Sequence, residues 1–282
     1  MSTDPRAPVA AITMMRGDGE FLEIWLRHYG AHFGSENLFV ILDGQDQKTL
    51  PDLGCSNLIC LPHIPTSREA GDRARARVVS HLARALFYHY RRVVACDVDE
   101  LLCLDPNAGD SLRDYLLTQI PHASVSAMGL DLGQHPEHES ALDFSRPILH
   151  QRAYAQLSAR YTKPVVATLP VTWGSGFHRI KGRGLRIDPN LLLFHIGLVD
   201  KRLSESKAQR TELVDNGWSG HFQRRFALYE NLQKFPARDA DPLIAAARQH
   251  MLWRRPVYAL NKPGRLPENM IVKIPERLRD AF

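Results

Sequence analysis

No apolar run in this 282-residue chain is long enough to cross a bilayer: the longest, residues 191–199, is broken by His195 and falls far short of the roughly 20 residues a spanning helix requires. Residues 1–6 lack the basic stretch and apolar core of a secretory leader, so a cytoplasmic protein is expected. Cysteine is scarce. Cys55, Cys60, Cys96 and Cys103 form no CxxC pair and alternate with no histidine at zinc-site spacing, which excludes a zinc finger and leaves buried free thiols as the expectation. The chain has no internal repeat and no low-complexity linker, which excludes solenoids and tethered modules. Nor is there an acidic excess: the net charge of +5 suits an anionic partner such as a diphosphate, an acidic lipid headgroup or nucleic acid. No aromatic-rich RNA-binding signature accompanies the scattered arginines, so nucleic acid is not expected as a partner.

What is present has ordinary globular proportions, 44% apolar and 24% charged, and the length allows a substantial core in one domain spanning 1–282. Residues 9–15 form an apolar run that stops at Arg16-Gly17-Asp18-Gly19, as a buried strand entering a loop does. Phe21, Leu22, Trp25, Leu26, Tyr29 and Phe33 then recur at helical intervals up to Gly34, a natural helix stop. Residues 38–42 and 57–61 read as further strands, and Val79, Leu82, Leu86 and Tyr90 as a helical face. A fourth apolar run, 93–96, ends directly at Asp97-Val98-Asp99-Glu100. This alternation predicts an α/β, Rossmann-like, mainly parallel sheet with helices on both faces, in which ligands bind beyond the carboxyl ends of the strands. Later, 111–120 reads as helix, 123–128 as strand, 131–163 as loops and irregular helix, 165–171 and 191–196 as strands, and 240–253 as a helix.

Asp97-Val98-Asp99 is the sharpest motif. Two carboxylates one residue apart at a strand-to-loop turn can converge on a hard cation, and Mg²⁺ or Mn²⁺ is commonly held by one or two carboxylates plus substrate phosphates. Such a cation would neutralise charge on a departing diphosphate. A solvated turn is the bland alternative, with Glu100 as an N-cap partner.

The segment Arg16-Gly17-Asp18-Gly19-Glu20-Phe21-Leu22-Glu23-Ile24-Trp25-Leu26 resembles the opening of family-2-like glycosyltransferases, which carry a Lys-Asn-Glu-like turn and then a Leu-Glu-Trp helix. Asp97-Val98-Asp99-Glu100-Leu101-Leu102 is similar to their Asp-x-Asp-Glu-Phe-Leu segment, and Leu193-Phe194-His195-Ile196 to a late His-Tyr element. The turn departs from that pattern at Arg16-Gly17-Asp18, and Ile196 stands where Tyr is usual. The resemblance implies a GT-A-type fold, with a nucleotide-sugar-binding half at about 1–105 and an acceptor half at about 106–282. It implies a nucleotide-sugar donor, a UDP-sugar by preference, and a Mn²⁺ or Mg²⁺ cofactor. Asp99 becomes the direct metal ligand, Asp97 a ligand to metal or donor ribose, and His195 the group that completes the coordination. His195 as a satisfied core histidine is the alternative. Asp43, after the second strand, is placed to contact the nucleoside, or is a plain turn residue before Gly44.

Other candidates follow from position. Asp72 and Arg75 open the helix before the acidic motif and are candidates for the base or diphosphate, against a solvated helix face. Lys201, Arg202 and Lys207 follow His195, where a basic segment would clamp a diphosphate; solvated charge is the alternative. Trp173-Gly174-Ser175-Gly176-Phe177-His178 reads as a ligand-shaping loop, or Trp173 as core. An inverting reaction needs a carboxylate to deprotonate the acceptor. Asp131 is the choice, with Glu137, Glu139 and Asp143 as competitors. The leading expectation is therefore a metal-dependent glycosyltransferase acting on a polysaccharide or glycolipid hydroxyl, with peripheral membrane contact conceivable. A nucleotidyltransferase and a non-catalytic nucleotide- or carbohydrate-binding module are the alternatives.

Overall fold

Strand β1 (Ala7–Met15) is the pivot of the sheet because it is apolar on both faces. The structure, a computed structural model, describes residues 4–47, 50, 52–209, 219–255 and 257–282, with the backbone alone for 219–224. Val9, Ala11 and Met15 pack with Phe21, Leu22 and Trp25 of α1 (Gly19–Phe33), while Ala10 and Ile12 pack with Ala76, Val79 and Ala83 of α2 (Arg68–Leu86). Successive strand residues point to opposite faces, so one strand anchors a helix on each side. β2 (Leu38–Asp43) and β4 (Tyr90–Ala95) flank β1 in parallel, and β3 (Asn57–Leu61) extends the sheet beyond β2. The order β3-β2-β1-β4 reverses direction between β1 and β4, the switch point at which such sheets open a crevice.

Beyond β4 the sheet becomes mixed. β8 (Val166–Ala167) joins β4 to β6 (Ser124–Gly133) by antiparallel pairing, and β6 runs parallel to β9 (Ile187–Leu198). β5 (Glu100–Leu104) pairs antiparallel with β9, with Glu100 opposite His195. β7 (Tyr154–Leu157), β11 (Ile271–Lys273) and β10 (Arg238–Asp239) complete the far edge.

Several expectations need correction. Tyr90 lies four residues after Leu86 and fits the helical spacing, yet α2 ends at Leu86 and Tyr90 opens β4, opposite Ala7 and edge-on to Phe39. The late strand expected over 165–171 shrinks to the two residues of β8, since Pro164 and Pro170 bound it and a proline donates nothing to a ladder. Residues 131–163 are not all loop: β6 extends through Asp131 to Gly133, and β7 follows. Helices Lys201–Ala208 and Ser219–Lys234 were not anticipated. Of the cysteines, Cys96 and Cys103 are buried, but Cys55 and Cys60 are exposed, Cys55 in the turn before β3 and Cys60 on the open face of that edge strand. Among the described residues no helix is long and apolar enough to cross a membrane.

Gly129, within β6, lets a loop close on the strand. A Cβ there would stand 2.3 Å from the Tyr161 carbonyl carbon and 2.5 Å from the Thr162 nitrogen, both backbone atoms. Ser158 N donates to Gly129 O, and Gly129 N to Thr162 Oγ1. Gly129→Ala is therefore expected to lower stability by about 1–3 kcal/mol through overpacking, read as a fall in the urea midpoint. An unchanged midpoint would show that the loop moves freely.

Candidate functional site

The turn after β4 delivers Asp97 and Asp99 to the switch point and aims them apart. Val98, 4% exposed, is driven into the core between them, and Glu100 N closes the turn on Asp97 O at 3.0 Å. The two carboxylates consequently enter separate charge clusters.

Asp97 faces cations. Arg75 Nη1 lies 2.8 Å from Asp97 Oδ1, and Lys163 Nζ donates to Asp97 Oδ2 at 2.7 Å. Lys163 also contacts Glu100 Oε1 at 2.5 Å, although Lys163 is 3% exposed and Glu100 fully buried. Glu100 Oε2 accepts from Asp97 N at 3.2 Å, so the capping role suggested by the sequence is present, on a hairpin-like turn rather than a helix. Burial works against the Lys163 charge, but Asp97 and Glu100 outweigh it and raise its pKa. Burial, reinforced by Asp97 and Asp99, pushes the Glu100 carboxyl up to about 7 even with Lys163 beside it. Asp72 braces Arg75 at 3.4 Å, and the Arg75 guanidinium lies over the Phe177 ring at 5.5 Å. The solvated-face reading thus fails for Arg75. Phe177 holds a left-handed backbone, φ 59°, costly for a bulky residue and of the kind that collects at functional sites. Trp173 is core instead: it is 1% exposed, and its indole N–H donates to Pro164 O.

Asp99 faces His195. Oδ2 lies 3.1 Å from His195 Nε2, and His195 Nδ1 is 2.6 Å from Asp131 Oδ1. The Tyr161 ring stacks on the imidazole with centroids 3.8 Å apart. Arg225 Nη2 reaches Nε2 at 2.8 Å and Asp99 Oδ2 at 3.8 Å. Donation of Nδ1–H to Asp131 would leave the Nε2 lone pair facing Arg225 Nη2, which engages it here, and this is also the tautomer a metal ligand requires. Burial opposes protonation of His195, yet Asp99 and Asp131 prevail and raise its pKa; burial likewise works to raise Asp99, but His195 and Arg225 hold it well below the usual carboxylate range.

Among the described residues no group of three or more His, Cys, Asp or Glu side chains is arranged to hold a metal unaided. Two neighbouring ligands of an octahedral cation with bonds of about 2.1 Å stand roughly 3 Å apart, and Asp99 Oδ2 and His195 Nε2 meet that separation at 3.1 Å. Gly197, by lacking a side chain, lets these two groups and Arg225 Nη2 converge on its backbone. A Cβ there would lie 2.6 Å from Asp99 Oδ2, 2.9 Å from His195 Nε2 and 2.4 Å from Arg225 Nη2. All three are side-chain ends that can shift, so Gly197→Ala is expected to fold with a near-normal unfolding midpoint while losing ligand binding at this point. Calorimetric titration checks it, and retained affinity would put the ligand elsewhere.

The other candidates surround this centre. Lys207 ties to Asp18 of the β1–α1 loop and lies over Phe21 at 5.2 Å, so it bridges two rims of the crevice. Lys201 and Arg202 are exposed on the helix Lys201–Ala208. Asp43, at the end of β2, pairs with His63 at 3.0 Å, while Arg16 donates to Asp43 O and pairs with Asp46. Its contacts close on that group rather than on the acidic turn. Glu137 accepts from Gln233, Glu139 from the His135 and Ala153 amides, and Asp143 from Ser145, so these competitors of Asp131 have partners of their own away from His195. Sequence reasoning missed Lys163, Tyr161 and Arg225. Lys163, between Thr162 and Pro164 in an aperiodic stretch, offered only its charge as a signal.

No family model matches the sequence, and no curated protein does. Among solved structures the chain is similar to one described as mannose-1-phosphate geranyltransferase from Thermus thermophilus, at 14% identity and a TM-score of 0.30, over 85% of this chain and 68% of that one. It is also similar to core-mannan synthase A from Aspergillus fumigatus in its Mn/GDP form, at 9% identity and a TM-score of 0.23, over 49% of this chain and 46% of that one. Likenesses this distant bear on neither substrate nor mechanism.

Proposed function

We propose that this chain is a metal-dependent glycosyltransferase, moving a sugar from a nucleotide-sugar donor, a UDP-sugar by preference, to a hydroxyl acceptor of a polysaccharide or glycolipid. The observation that carries the reading is the Asp99–His195 pair, spaced as neighbouring metal ligands at the carboxyl edge of the sheet, with the Arg225 guanidinium against it beside Gly197. Mn²⁺ or Mg²⁺ would be held by Asp99 and His195, with the donor diphosphate supplying further oxygens, and would act as a Lewis acid toward the leaving group. Asp131 holds the His195 tautomer through Oδ1. As the acceptor base it would receive a proton on its other oxygen. Asp97 would belong to the donor side with Arg75, the half-buried cation paired with it, which would meet a diphosphate, while the buried Lys163 holds Asp97 in place. Asp72 steadies Arg75, Lys207 closes the crevice from the far rim, and Asp43 serves the nucleoside. Arg16 is paired with Asp46 rather than presented by a glycine-rich phosphate loop, which disfavours the nucleotidyltransferase reading.

Thermal unfolding with UDP, GDP, CDP and ADP, each with and without Mn²⁺, tests the proposal. A ligand at 100 times its dissociation constant adds about 2.7 kcal/mol of stability. One diphosphate is expected to stabilise only with metal, and its sugar conjugate to be turned over. Binding without transfer or donor hydrolysis would leave a binding module. No shift under any condition would end the reading.

A further inference from the structure

A second surface, separate from the crevice, gathers exposed apolar side chains inside a ring of positive charge. Trp253, Val257, Tyr258 and Leu260 are 85%, 85%, 92% and 53% exposed. They occupy the end of the helix Ala240–Trp253 and the segment after it, whose other end is fastened by Gly264 N donating to Met251 O. Leu260 O accepts from Leu185 N and from Arg255 Nη1, each at 2.8 Å, which docks the basic stretch Arg179-Ile180-Lys181-Gly182-Arg183-Gly184-Leu185-Arg186 against it. Arg254, Lys262, Arg265, Lys181, Arg183 and Arg186 are exposed. Neither 179–187 nor 251–267 contains an acidic residue.

Isolated exposed apolar residues are normal, but two aromatics and two aliphatics in one fastened segment are not. Tryptophan and tyrosine favour the membrane–water interface, and lysine and arginine favour an anionic headgroup layer. A second copy of the chain is a poor occupant, because a twofold contact would set these cations against their own counterparts. We infer that this face docks peripherally on an anionic lipid surface, with Trp253 and Tyr258 inserted at headgroup depth and the surrounding arginines and lysines on the lipid phosphates. β9 leads from Ile187, next to this face, to His195 in the crevice; these two pair with Ser126 and Asp131 of β6, a span of roughly 17 Å at a strand's rise per residue. Docking therefore leaves the crevice open to solvent.

Flotation of the full chain with phosphatidylcholine vesicles, with and without phosphatidylglycerol, tests the inference and does not depend on the glycosyltransferase reading. The protein is expected to float only with the anionic vesicles and to be released by high salt. Trp253→Ser with Tyr258→Ser is expected to weaken binding about tenfold or more by removing apolar insertion. Arg254→Glu with Lys262→Glu should weaken it about 25-fold or more, near fivefold per basic residue removed. Unchanged unfolding midpoints establish that both variants fold. Failure of the wild type to float, or equal flotation of the aromatic variant, overturns the inference. So does light scattering that finds a dimer converted to monomer by the aromatic substitutions, which would make this a contact between copies.

Discussion

Asp99→Asn is expected to abolish metal-dependent stabilisation by nucleoside diphosphate, removing the whole of the about 2.7 kcal/mol that the wild type gains at 100 times its dissociation constant. Asparagine preserves the volume of the side chain and its contact with His195, so loss of binding cannot be ascribed to a cavity. It removes the charge. Turnover is expected to fall about a thousandfold, corresponding to the several kcal/mol that a metal contributes to leaving-group stabilisation. Midpoints with and without Mn²⁺, and single-turnover transfer, measure the two effects. A variant that keeps the full metal-dependent shift would place the cation away from the 3.1 Å Asp99–His195 pair.

Lys163→Met should produce the largest loss of stability. Lys163 is 3% exposed and is shared by Asp97 and Glu100, so methionine leaves the fully buried Glu100 without its cation and Asp97 with Arg75 alone. Breaking a buried pair from one side costs about 3–5 kcal/mol. A second substitution, Glu100→Gln, removes one orphaned charge and should restore part of that loss. The pH dependence has a definite sign. Burial already raises Glu100 from 4.5 to about 7, so the folded state holds a proton that the unfolded state releases between those values, and stability declines as pH rises across that window. Without Lys163 the decline steepens, and the gap between wild type and variant in urea should widen from pH 5 to 8. A constant gap, or no gain from Glu100→Gln, would show that the lysine acts by packing alone.

The sequence made the parallel half of the sheet legible because the apolar runs of β1, β2 and β4 are bounded by polar turns, and because the run at 93–96 stops on an acidic pair. Asp99 and His195, 96 residues apart, were associated only through resemblance; their contact at 3.1 Å is a product of β5 pairing with β9. β5 itself escaped detection because its five residues read as the tail of the acidic motif. β7, four residues long, is too short to show a period. Lys163 and Arg225 were invisible for a different reason. A buried cation looks like any surface cation until the carboxylates around it are known, and those come from Asp97, Asp99 and Glu100 at distant positions. The exposure of Cys60 likewise depends on β3 being an edge, which composition does not reveal.

The pairing of β5 with β9 also fixes when the crevice can come into being. Glu100 lies opposite His195, and Gly197 and Arg225 lie further along still. On a ribosome, β1, β2, β3 and β4 can associate early, whereas the acidic turn must wait for nearly one hundred more residues before its partner strand emerges. Contacts of such sequence separation form slowly, since a long loop must close before they repay its entropy. Until then Asp97, Asp99 and Glu100 lack His195, and a nascent chain that stops before β9 has β5 without its partner strand and no centre. Ligand-binding competence should thus appear late in refolding, after the parallel sheet has regained its circular dichroism signal.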